Sequence, residues 1–204
     1  MTLSPPKCEA WTPSRGARPL GVAATEKLIV LASRYQGIRD THKASGPAFA
    51  GLLAAVKAIA GSVLIVKPHP AEPASAYDAD IAHAALGDRV RVESNRSLSD
   101  LLPATDLLIT VESLSATEAL VAGVPVVVLR HPSNLRDLVG SGAALGVRDG
   151  DDPRPVIESL LGDEEVKTRW RAARDSFLRD VAHGVDGKAL DRLLNLVSQA
   201  AGLD

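Results

Sequence analysis

The chain is short of the residues that mark several protein classes. It has one cysteine, Cys8, which excludes an internal disulfide and a thiolate metal cluster and fits a reducing compartment. Aromatic residues make up only 3%, so the core must be built from Ala, Val and Leu, a mixture suited to buried parallel strands under helices. Charge of neither sign dominates. A formal net charge of −2 leaves no basic footprint for nucleic acid, and no acidic block reads as a disordered tail. No apolar run approaches the roughly 20 residues needed to cross a bilayer. The opening MTLSPPKCEAW lacks the apolar stretch of a secretory leader. These absences predict a cytoplasmic chain without a nucleic-acid partner, one that would meet a membrane only through another protein.

Several chemical signatures are missing too. No G-x-G-x-x-G follows the first apolar run, no G-x-x-x-x-G-K-[ST] occurs and there is no G-x-S-x-G elbow, so a dinucleotide fingerprint, a P-loop and a hydrolase nucleophile are unsupported. His42, His83 and His183 are scattered and form no metal-ligand spacing. No metal and no resident cofactor are expected.

What is present is a regular alternation. Residues 1–25 carry Pro5, Pro6, Pro13 and Pro19 with no helix or strand period and read as an extended arm. Residues 26–204 read as one domain. KLIVLAS (27–33) and SVLIVKPH (62–69) are apolar strands. Between them Pro47 opens a helix, where its missing N–H costs nothing, and Gly61 ends it. A helix at 76–86, a strand at 89–94, a short helix at 97–104 with Ser97 as N-cap, and a strand at 106–112 follow. A helix closed by Gly123, a strand at 124–130, a short helix at 134–142 and a last strand at 144–149 complete the alternation. The remainder is helical, at about 153–161, 163–182 and 187–200. The fold class is therefore α/β: a three-layer, Rossmann-like domain with a parallel sheet of about six strands and a helical C-terminus. The apolar positions Leu190, Leu193, Leu194 and Val197 of the last helix are expected to pack on the domain's own sheet; the alternative is a partner chain.

Right-handed crossovers place every strand-to-helix loop on one edge of such a sheet, and ligands sit outside the carboxyl ends of the strands. Lys67 and His69 of K-P-H-P offer charge and directed donors to a phosphate, on a loop stiffened by prolines. Ser113, Ser115 and Thr117 stand where a helix starts, beside free N–H groups and a positive dipole end. Glu118 is placed to accept from the vicinal hydroxyls of a ribose. S-x-x-E is also a capping box, in which Ser115 and Glu118 satisfy each other's backbone donors. Arg34, Arg130 and His131 end strands on the same edge; an arginine fork suits a diphosphate, and a surface ion pair is the competing role.

Three stretches carry a resemblance to the C-terminal half of enzymes with the glycosyltransferase B fold. K-P-H-P is similar to the HP motif of transferases that use CMP-linked donors. SDLLPATDLLITVESLSATEALVAGVPVVVLR resembles the non-hydrolysing UDP-N-acetylglucosamine 2-epimerases and their transferase relatives, and GVDGKALDRLLNLV resembles their C-terminal helix. The resemblance implies that His69, Ser113 and Ser115 hold the phosphates of a UDP- or CMP/CDP-linked donor, that Glu118 holds the ribose and that Arg130 lines the cleft. It implies surface-polysaccharide chemistry. Leu114-Ser115 and Thr117-Glu118 depart from the Gly-Gly and paired acidic residues of the epimerases, which points to the transferases. About 25 residues precede the first strand, so the acceptor-binding half is expected from a second domain or subunit, the chain being a fragment or one subunit of a split enzyme; a stand-alone nucleotide-sugar binder or scaffold and an epimerase-like fragment are the other readings.

Overall fold

The computed structural model describes residues 21–33, 47–132, 135–182 and 186–201. Six strands carry the domain: β1 (Lys27–Ala32), β2 (Ser62–Lys67), β3 (Val90–Val92), β4 (Leu107–Thr110), β5 (Val126–His131) and β6 (Leu145–Arg148). All pair in parallel, in the order β3-β2-β1-β4-β5-β6. The central strands are apolar on both faces, with Leu28, Ile29, Val30, Leu64, Ile65, Leu107, Leu108 and Ile109 fully buried, as a sheet covered on both sides requires. The order reverses between β1 and β4, which is the topological switch point of an open α/β sheet.

The helices are α1 (Pro47–Ala58), α2 (Asp78–Ala84), α3 (Leu98–Leu101), α4 (Ser115–Val121), α5 (Arg136–Gly140), α6 (Arg154–Gly162), α7 (Glu164–Ala182) and α8 (Ala189–Ala201). Helix α1 touches α2 and α6 on one face, and α4 touches α7 on the other. Local chemistry sets their ends. Gly61 (φ 66°) follows α1 and Gly123 (φ 75°) follows α4, both left-handed as glycine permits. Beyond Gly123, the Val124 N–H donates to the Ala119 carbonyl at 2.8 Å and the Gly123 N–H to Leu120 at 3.0 Å, the Schellman pattern. The carbonyls at the end of α1 are met from far along the chain. Arg89 donates to the Val56 carbonyl, to Ile59 at 2.7 Å and to the Ser62 carbonyl at 3.1 Å, placing a cation on the negative end of the helix dipole.

Residues 1–20 of the expected arm lie outside the described residues, and Val22, within that arm, is buried against the core. Among the described residues no helix is long and apolar enough to cross a membrane.

The last helix departs from expectation. Leu190, Leu193, Leu194 and Val197 do not pack on the sheet; they are 64, 56, 55 and 56% exposed, and α8 buries no residue. The helix is held at its start instead, where Arg192 forks onto Asp186 at 2.7 and 3.0 Å and depresses that carboxyl to about 2. The i, i+3, i+4, i+7 spacing marks an apolar face without saying what covers it. Because this face is more than half exposed, Leu193→Ser with Leu194→Ser will change the unfolding free energy by about 0.5 kcal/mol or less each in urea titrations. A loss of several times that would place these leucines in a core.

Candidate functional site

At the switch point, the ends of β1 and β4 are tied by the Thr110 hydroxyl, which donates to the Ala32 carbonyl at 3.1 Å while fully buried. The loops that leave these strands bring the predicted residues to one edge. Lys67 and His69 follow β2, on one side of β1. Ser113, Ser115, Thr117 and Glu118 follow β4, on the other, and Arg130 ends β5, one strand further out. Arg34 lies outside the described residues.

The K-P-H-P turn is built by backbone and carboxylate. The His69 N–H donates to the Ser33 hydroxyl at 2.8 Å and to Oε2 of Glu72 at 3.0 Å, and the Glu72 N–H returns to the His69 carbonyl at 2.8 Å. The Ala71 N–H donates to Nδ1 of His69 at 3.2 Å, which makes that nitrogen an acceptor and puts the proton of the neutral ring on Nε2. The side chain is exposed and so presents its ring on the surface of the edge. Lys67 reaches sideways, donating to the Ser94 carbonyl at 3.1 Å and joining the β2 and β3 loops. In that second loop Glu93 accepts from the N–H groups of Asn95 (2.7 Å) and Arg96 (3.1 Å). Ser97 caps α3 in a complete box with Asp100, whose carboxyl is lowered first by the Ser97 hydroxyl and then by the Ser97 backbone.

The β4 loop corrects the capping-box reading of Ser115 and Glu118. Ser115 is already the first residue of α4, one position too deep to cap it; Leu114 precedes it and offers no hydroxyl. The Ser115 N–H is taken by the Ser113 hydroxyl at 3.2 Å. The Ser115 hydroxyl itself is buried, 8% exposed as a residue, and has no hydrogen-bond partner among the described residues. A buried hydroxyl left unpaired costs about 1–3 kcal/mol, which makes it conspicuous at a helix start on the ligand edge. Thr117 is half-buried and Glu118 exposed beside it. Leu114 is 82% exposed at the same place.

Arg130 behaves as the competing reading had it. Its backbone is left-handed (φ 56°), at a register shift in the β5–β6 pairing, and its Nε lies 3.6 Å from the Asp149 carboxylate in an exposed ion pair. It borders a separate open cleft of about 410 Å³, floored by the small residues Ala48, Gly51 and Ala55 of α1 and rimmed by Arg148.

Ser33, His69 and Glu72 are neighbours: the Ser33 hydroxyl accepts from the backbone N–H of His69 and donates to the carboxylate of Glu72. Sequence reasoning missed Glu72 and Tyr77. The signal available was local: a carboxylate three residues after His69, the spacing at which Asp100 also takes the Ser97 N–H.

No protein-family model matches this sequence, and no curated protein matches it. Solved structures do. MnaA of S. aureus, solved with UDP, aligns with a TM-score of 0.68 at 17% identity, covering 88% of this chain and 47% of that one. HepE (Alr3699) of Anabaena, in complex with UDP-glucose, aligns at 0.64 and 15% identity, covering 87% and 50%. The C-terminal domain of the group 1 glycosyltransferase LpcC from Francisella tularensis aligns at 0.56 and 13%, covering 76% and 86%. The fold is thus that of the C-terminal half of the glycosyltransferase B architecture, shared by glycosyltransferases and UDP-N-acetylglucosamine 2-epimerases. The chain spans about half the length of MnaA and HepE.

Proposed function

We propose that this domain binds the nucleotide of a UDP- or CMP/CDP-linked donor and is the donor half of a glycosyl- or glycerophosphotransferase-like enzyme of surface-polysaccharide synthesis, working in the cytoplasm. The observation that carries the reading is the buried, unpartnered Ser115 hydroxyl at the switch point, one strand from the β1 end that anchors His69. A phosphate oxygen there gives that hydroxyl its missing acceptor. The Nε2–H of His69 and the Ser113 hydroxyl are the further donors, and Lys67 and the helix dipole supply the charge. Glu118, exposed at the rim and one turn into α4, is placed to accept from ribose hydroxyls, with Thr117 beside it. Arg130 is proposed as an outer contact of the same edge, and Arg34 as a further cation for the diphosphate. Structures of this fold that contain UDP or UDP-glucose support a nucleotide ligand.

Turnover would need an acceptor-binding half. MnaA and HepE are about twice as long as the matched region, and the bare apolar face of α8 is a surface that such a partner would cover. The second reading, a non-catalytic nucleotide-sugar-binding module, is favoured by the same half-length match. Leu114 and Ser115 in place of a Gly-Gly turn speak against an epimerase-like fragment.

Isothermal titration of the purified chain with UDP, CMP, CDP and UDP-N-acetylglucosamine tests the reading. Micromolar binding of one of them is expected and would name the donor class. Binding of none would leave a scaffold.

A further inference from the structure

Glu72 stands in the densest hydrogen-bond cluster of the ligand edge, although its own carboxylate has no place in phosphate binding. One oxygen, Oε2, accepts from three groups on three parts of the fold: the Ser33 hydroxyl at the end of β1, the His69 N–H in the K-P-H-P turn, at 3.0 Å, and the Tyr77 hydroxyl at the entry to α2, at 3.1 Å. Bonds to a carboxylate oxygen are charge-assisted and are the strong ones. Tyr77 is itself fixed. It is 1% exposed, and its ring meets Phe49 of α1 edge-on, with centroids 5.4 Å apart and planes at 73°. Burial raises its hydroxyl well above the ordinary tyrosine value; the neighbouring Ser33 hydroxyl opposes that and Glu72 adds to it, so the group remains a donor throughout the neutral range.

We propose that Glu72 is the positioning residue of the donor-phosphate site: it locks the 69–72 turn to β1 and to the buried Tyr77, and so sets the orientation and the proton position of the His69 ring. The link is direct. The Ala71 N–H that turns Nδ1 into an acceptor is held in place by the Glu72–His69 bonds on either side of it, from His69 N–H to Glu72 and from Glu72 N–H back to His69. Without the carboxylate the turn keeps its backbone bond to the His69 carbonyl and the Ser33 hydroxyl, but it loses the tie to Tyr77, and Ser33 loses the acceptor that orients it. An imidazole free to exchange tautomers donates to a phosphate only part of the time. Glu72 touches no ligand atom in this account; it acts through His69 and Ser33. The inference rests on the nucleotide-site reading for its functional meaning, but not for its structural content.

The test uses the full chain, with Glu72→Gln and Glu72→Ala. Nitrogen-15 NMR of the His69 ring reports the tautomer, and amide exchange at His69 reports the turn. The wild type is expected to show a single Nε2–H tautomer. Glu72→Ala should show averaged ring nitrogens and His69 exchange at least about tenfold faster, with the circular dichroism of the folded chain retained. Glu72→Gln, which keeps one amide oxygen for the His69 N–H, should fall between. Titration with whichever of UDP, CMP or CDP the wild type binds should weaken by roughly tenfold or more in Glu72→Ala, the scale on which residues supporting a ligand-contacting group act. An unchanged tautomer and exchange rate in Glu72→Ala overturns the proposal, as does unchanged nucleotide affinity in a chain that binds. If the wild type binds none of the three, the nucleotide reading fails by itself, and the NMR pair still decides whether Glu72 positions His69. Tyr77→Phe separates packing from positioning: it removes one donor from Oε2, keeps the ring against Phe49, and is expected to leave the His69 tautomer single.

Discussion

Trp170→Ala will destabilise the domain by about 3–5 kcal/mol, the usual range for emptying a buried aromatic site. Trp170 lies on α7, is only 6% exposed, and donates its indole N–H to the Ala143 carbonyl at 2.9 Å. Ala143 and Ala144 are fully buried in the turn that leads into β6, so no water replaces that donor. The guanidinium of Arg174, one turn on, lies 5.9 Å from the ring centroid and bonds the Leu120 carbonyl at 2.6 Å, at the end of α4. The alanine variant therefore removes the ring that packs α7 against the turn before β6, together with one face of the arginine that holds α7 to α4. Trp170→Phe restores most of the volume but strands the Ala143 carbonyl, and should cost about 1–3 kcal/mol. Urea unfolding read by circular dichroism checks both: the midpoint should fall in the order wild type, Phe, Ala, with little change in slope. A loss below 1 kcal/mol for Trp170→Ala would mean that α7 is anchored elsewhere.

That contact shows where sequence reading reaches its limit. The strands were legible because a sheet covered on both faces demands unbroken aliphatic runs, and LIVL and VLIV are short, β-branched runs of that kind. Alternation then fixed the parallel pairing and the edge that carries the strand-to-helix loops. Helix ends were legible wherever the signal was local: Gly61, Gly123, and Ser97 with Asp100. What joins distant segments was not. The Ser33–Glu72 bond spans 39 residues and the Arg89–Ile59 bond spans 30, and nothing in either neighbourhood announces its partner. Arg89 read as the start of a strand; in the fold it caps a helix. Leu190, Leu193, Leu194 and Val197 show the opposite error. Their spacing gave an apolar face correctly, but periodicity carries no information on whether that face meets the chain's own sheet. For the site, the sequence supplied residue types and the common edge. The one-residue offset that frees the Ser115 hydroxyl from capping depends on where α4 begins, and helix boundaries are the least legible feature of a pattern.

That offset yields a prediction in which stability and binding move in opposite directions. A serine that caps a helix is destabilised by alanine, at a cost of about 1 kcal/mol. A buried serine hydroxyl without a partner is an uncompensated desolvation, and its removal is neutral or gains up to about 1 kcal/mol. Ser115→Ala should therefore leave the ligand-free domain as stable as before, or slightly more so, in urea unfolding. The same change deletes the donor proposed to meet the phosphate, so affinity for the nucleotide should fall about tenfold. Combined with His69→Ala, whose side chain is exposed and whose loss spares the core, the reduction should reach about 100-fold, or roughly 2.7 kcal/mol. Ser115→Thr keeps the hydroxyl and should recover part of the binding. Glu118→Gln gives the complementary control, since a ribose contact weakens when its charge goes while the fold does not. If Ser115→Ala destabilises the domain and leaves nucleotide affinity untouched, the hydroxyl is structural and the phosphate does not sit at the head of α4. If it strengthens the fold and weakens the ligand, the unpaired hydroxyl of the free domain is a binding group held ready for an acceptor that only the nucleotide supplies.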